Sequence, residues 1–114
     1  MIRTADRQRA AALLQGFLDA GATLVETEIL QPAGTLLDLY GEDIRARAFT
    51  THDPLTGEAM LRPDFTVPVV QAHMNNGADV ARYCYAGEVF RRQEVDEGRP
   101  REYLQVGFEV FDGT

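Results

Sequence analysis

Ala10, Leu13, Leu14, Phe17 and Leu18 recur at the three-and-four spacing of one helical face. This predicts a helix over residues 4–20, with Thr4 as N-cap, Asp6 in the first turn and Gly21 as the stop. The pattern then changes to period two. "TLVETEIL" alternates Val25, Thr27 and Ile29 against Glu26 and Glu28, which predicts one strand ended by "QPAG". Residues 36–40 read as a short helical turn before "GED". Residues 44–51 and 58–62 read as the arms of a hairpin around "HDPLTG", where proline follows aspartate and a glycine suits a positive φ. "RPDFTVPVVQAHMNNG" predicts a second helix, capped by Asp64 or Thr66, with Pro68 in its first turn. Val70, His73 and Met74 form one helical face, and Asn76-Gly77 ends it.

Two alternating runs close the chain. In "ARYCYAGEVFRR", Tyr83, Tyr85, Gly87, Val89 and Arg91 share one face. In residues 101–111, Leu104, Val106, Phe108 and Val110 form an apolar set expected to pack under helices. The opposite set is Arg101, Tyr103, Gln105, Gly107, Glu109 and Phe111, which must face water or a ligand. The order helix, strand, hairpin, helix, hairpin predicts an α+β domain, with helices on one face of an antiparallel sheet.

The chain's 114 residues suffice for one small domain. There are 18 acidic residues against 11 basic, a net charge of −7, which argues against a dedicated nucleic-acid binder. All of the basic residues are arginine, the side chain suited to planar bidentate contact with carboxylate or phosphate. Cys84 is the single cysteine, so an internal disulfide and a cysteine zinc site are excluded, and a buried thiol fits a reducing compartment. His52 and His73 lie far apart, and no metal site is expected. Neither a membrane span nor a signal peptide is legible, so the cytoplasm is the expected location.

The polar set of the last strand can be a merely solvated sheet face. Three features point to a ligand instead. Gly107 interrupts a strand, where a glycine admits a ligand or another backbone. Arg91 shares a face with Tyr83 and Tyr85, which suggests a mixed pocket. Asp64 and Thr66 stand at a helix start, where backbone N–H groups favour an anion. Together they suit a zwitterion: a carboxylate or phosphate on Arg91, and an ammonium on Asp64 and Gln105. The loop 93–100 is either a solvated connection or an arm whose Arg99 reaches a phosphate.

"MLRPDFTVPVV", "GEVFRR" and "GRPREYLQVGFEVF", in this order, resemble the N-terminal half of the histidyl-tRNA synthetase catalytic fold. The resemblance implies an antiparallel β-sheet flanked by helices, part of a class II aminoacyl-tRNA synthetase-like catalytic domain. Residues of about 4–32 would be its motif 1 region, a dimer-interface element, and about 82–111 its motif 2 hairpin. It also implies that Arg91 holds an α-phosphate and carboxylate, and that Asp64, Thr66 and Gln105 hold the ammonium of histidine. Glu109 would face the imidazole, and Arg99 would lie near nucleotide phosphates. The sequence departs from that family at Gln93, Asp64 and Glu28, where glutamate, glutamate and proline are usual.

"RPDFT" and "REYLQVGFEVFDG" resemble more closely the regulatory subunits of ATP phosphoribosyltransferase, paralogues of the synthetase. That resemblance implies a non-catalytic, allosteric role in histidine feedback on the first step of histidine biosynthesis. The implied partners are histidine and a short-form ATP phosphoribosyltransferase catalytic subunit, with no cofactor. A genuine histidyl-tRNA synthetase and a plain dimerisation module are the alternatives. Both families carry further sheet and a third motif, so the chain reads as an N-terminal piece whose exposed sheet edge and apolar surface drive self-association.

Overall fold

The computed structural model describes residues 1–77, 79–93 and 100–112. The chain forms two compact units: Glu28–Asp64 with Glu88–Tyr103 (and Met1), and Ile2–Thr27 with Phe65–Gly87 and Leu104–Thr114.

The first unit holds a three-stranded sheet in the order β2 (Leu30–Pro32), β4 (Gly57–Leu61), β3 (Thr50–Asp53). Both pairings are antiparallel, with Thr50 opposite Met60 and Leu30 opposite Leu61. The expected turn closes the hairpin. The Asp53 carboxylate accepts the Leu55 N–H at 2.9 Å, and Gly57 takes φ +86°, a conformation a side chain would oppose. Helix α2 (Ala33–Tyr40) packs against this sheet and is a full two turns, longer than the turn expected over 36–40. The first arm of the predicted hairpin is not extended throughout: residues Ile44–Arg47 form a one-turn helix, α3. Ile44 and Ala48 are both buried, and their spacing of four satisfies a helical turn as readily as alternation satisfies a strand. The core of this unit is Leu36, Ile44, Met60 and Val89.

The second unit holds helices α1 (Thr4–Asp19) and α4 (Thr66–Asn76). Arg3, not Thr4, occupies the N-cap position of α1, because the Asp6 carboxylate reaches back to the Arg3 N–H at 3.0 Å. Phe65 precedes α4 in the cap position with no side-chain cap, Pro68 sits in the first turn, and Gly77 at φ +69° ends the helix as expected. The buried residues of α4 are Val67, Pro68 and Val69, while Met74 is exposed.

Strands β1 (Thr23–Leu24), β5 (Ala81–Phe90) and β6 (Glu102–Phe111) form the other sheet in the order β1-β5-β6. "TLVETEIL" is therefore two strands in two sheets rather than one. β1 runs parallel to β5, with Thr23 opposite Tyr83, so this sheet is not purely antiparallel. More than fifty residues separate β1 from β5, ample length for a parallel crossover. The core here includes Val25, Phe65, Val69, Tyr83 and Cys84. Phe108 meets Phe17 of α1 at a ring separation of 4.8 Å, yet Phe108 and Val110 are each 54% exposed, so helix covers only part of the expected apolar face.

Candidate functional site

In the first unit one segment, Arg62-Pro63-Asp64, positions two of the predicted ligand groups. Arg62 is buried and acts as a three-way tie. Its N–H donates to the Ile29 carbonyl (2.8 Å), its carbonyl accepts from the Phe90 N–H (3.0 Å), and its Nε donates to the Glu88 carbonyl (2.6 Å). Burial pushes the Arg62 guanidinium below the usual arginine range, and the Glu88 charge opposes that shift. The next residue, Pro63, accepts a hydrogen bond from Arg91 Nε at 3.1 Å. Arg91 is further held by its own N–H on the Arg101 carbonyl (2.9 Å), and its guanidinium carbon lies 5.4 Å from the Tyr103 ring centre. With Nε committed, Arg91 has its two terminal NH2 groups for an anion, and it forms no ion pair among the described residues. Asp64 follows Pro63, and its Oδ1 accepts the Tyr40 hydroxyl at 2.7 Å. Arg91 is thus tied to the backbone carbonyl of the residue that precedes Asp64 in one anchored segment. Tyr40 and Arg62 were not expected in this role. The sequence places them 24 and 2 residues from Asp64, with no periodicity to join them.

The second unit carries Thr66, Gln105 and Glu109. Thr66 is the first residue of α4 and is exposed. Gln105 is half-buried, and its Oε1 is shut off from solvent with no hydrogen-bond partner among the described residues. An orphaned buried acceptor costs about 1–3 kcal/mol, so this oxygen calls for an added donor. Glu109 is exposed. Two further positions on that strand face, Gly107 and Phe111, are occupied from within the fold. A side chain at Gly107 would begin 2.6 Å from the Tyr85 hydroxyl, so the glycine makes room for Tyr85. Phe111 stacks on His73 with centroids 3.9 Å apart, and Tyr83 and Tyr85 are both buried. Arg99 lies outside the described residues.

A feature the sequence did not suggest is a cavity of about 610 Å³ within the second unit, lined by Glu26, Thr27, Gln71, Asn75, Asn76 and Tyr83 among others. None of the predicted ligand residues lines it. Among the described residues, no three His, Cys, Asp or Glu side chains gather to hold a metal ion. No described helix is long and apolar enough to cross a membrane.

The helices and paired sheets define a class II aminoacyl-tRNA synthetase-like α+β fold, present in part. A pyrrolysyl-tRNA synthetase from Desulfitobacterium hafniense shares it at a TM-score of 0.68, with 18% identity, over 89% of this chain and 37% of its own. The chain belongs to the histidyl-tRNA synthetase family, whose model matches residues 3–114. A histidine–tRNA ligase subunit from Alicyclobacillus acidocaldarius superposes at a TM-score of 0.73, with 25% identity, over 92% of this chain and 30% of its own. In sequence, the ATP phosphoribosyltransferase regulatory subunit of Allorhizobium ampelinum is 46% identical over 102 residues, covering 88% of this chain and 26% of the relative. That of Brucella ovis is 45% identical over 89 residues, covering 77% of this chain and 23% of the relative. The chain spans about a quarter of the length of these curated relatives.

Proposed function

We propose that this chain is part of a regulatory subunit of ATP phosphoribosyltransferase that binds histidine and charges no tRNA. The observation that carries the reading is the 46% identity to the Allorhizobium ampelinum regulatory subunit over 88% of the chain. The geometry supports it. Arg91 and Asp64 are anchored through consecutive residues and offer opposite charges, the requirement for a zwitterionic amino acid. The buried Gln105 Oε1 is an acceptor in want of a donor, which an ammonium group supplies. Thr66 and Glu109 complete the ligand set, with Glu109 assigned to the imidazole, and Arg99 joins Arg91 as a phosphate contact.

On this reading residues of about 4–32 form the motif 1 region and about 82–111 the motif 2 hairpin. The protein works in the cytoplasm as a self-associating, allosteric partner of a short-form catalytic subunit. Histidine occupancy biases that partner because the ligand binds one state of the complex better than the other.

The test is calorimetric titration of the full-length protein with histidine, alone and with the catalytic subunit, alongside phosphoribosyl transfer. Binding with altered transfer is expected; neither one appearing would overturn the reading. The family match and the histidine–tRNA ligase neighbour favour a second reading, a tRNA-charging enzyme. Histidine-dependent exchange of pyrophosphate into ATP would establish it.

A further inference from the structure

Tyr40 is the last residue of α2, and Gly41, at φ +75°, turns the chain away immediately after it. The ring is therefore held at a fixed helix end, above a core that includes the fully buried Leu36 one turn earlier. Its hydroxyl donates to Asp64 Oδ1 at 2.7 Å, across 24 residues of sequence. The other side of this contact is equally fixed, since Asp64 follows the Arg62-Pro63 pair that ties β4 to the end of β5. The Arg47 guanidinium carbon lies 5.8 Å from the Tyr40 ring centre, over the ring.

We propose that Tyr40 is a positioning residue whose hydroxyl fixes the Asp64 carboxylate for the ammonium group of an amino-acid ligand. The assignment rests on the reading, given above, that Asp64 receives that ammonium. The chemistry of the donor is what recommends it. A carboxylate that must attract a cation needs its rotamer fixed without having its charge cancelled. A lysine or arginine donor would fix it and neutralise it. A phenol supplies a strong hydrogen bond and no charge. The nearby cation, Arg47, lies over the ring face, 5.8 Å from its centre.

The experiment is titration of the full-length protein with histidine and with imidazolepropionate, which lacks the ammonium, in wild type, Tyr40→Phe, Asp64→Asn and the double variant. Tyr40→Phe keeps the ring and removes only the donor. It is expected to weaken histidine about tenfold and to leave imidazolepropionate unchanged, with the double variant no worse than Asp64→Asn. Equal losses for both ligands, or no loss for either, would overturn the proposal, since a merely structural tyrosine does not distinguish them. If wild type binds no histidine, the ligand reading fails by itself. Thermal unfolding of the same four proteins then decides Tyr40: non-additive Tm losses support the coupling, and additive losses overturn it.

Discussion

The hydroxyl of Tyr85 occupies the space that a side chain on Gly107 would need, 2.6 Å from where its Cβ would stand. A glycine in the middle of a ten-residue strand is thereby explained by a neighbour within the fold. Gly107→Ala must displace a buried aromatic ring that also stacks on Phe65 at 4.7 Å. It is expected to destabilise the protein by about 1–3 kcal/mol in urea unfolding. Adding Tyr85→Phe removes the nearest atom and should recover part of that loss.

Arg91 presents a fork held by Pro63, and lysine cannot reproduce it. Arg91→Lys keeps the charge but loses the Nε–H bond and the paired terminal donors. Histidine affinity of the full-length protein is expected to fall about tenfold or more, with far-ultraviolet circular dichroism unchanged. Calorimetry checks this, and unchanged affinity would remove Arg91 from the ligand set.

The Arg3 N–H, and then the neighbouring Arg9, hold the Asp6 carboxyl below its ordinary value. A carboxylate with a depressed folded pKa stabilises the fold above its unfolded pKa of about 3.9, and that stabilisation is lost as pH falls through the lower folded value. The stability difference between wild type and Asp6→Ala should therefore be constant near neutrality and shrink below about pH 4. Chemical denaturation across pH 2–7 measures it.

Phe108 and Val110 expose 54% of their surface on the same side of β6. Such apolar area promotes association. The 114-residue chain is expected to self-associate, and Phe108→Ser with Val110→Thr should shift it toward monomer in sedimentation velocity. An unchanged distribution would show that these two residues take no part.

What the sequence revealed is what short-range chemistry decides. The "HDPLTG" turn, the Gly77 stop and the two long alternating runs depend on neighbours within a few residues, and all four are where the pattern places them. Alternation in residues 23–30 carries no information about partners. The Val25 N–H goes to the Cys84 carbonyl, while Leu30 pairs with Leu61 in another sheet. Ile44–Arg47 is ambiguous in principle, because four residues fit either period. In the candidate site Arg91 and Asp64 stood out by residue type, and the Pro63 carbonyl that anchors Arg91 is the residue next to Asp64. Tyr40 escaped notice because it ends an ordinary amphipathic helix, and only folding brings its hydroxyl to Asp64. Gly107 was noticed for the right oddity and credited to the wrong occupant.

Tyr83 has one further effect. Its hydroxyl lies 3.1 Å from both Asn76 Nδ2 and His73 Nδ1, so one buried phenol of β5 ties together two residues of the last turn of α4. Phe111 of β6 lies flat on that same imidazole. The end of a single helix is thus the shared seat of two long strands.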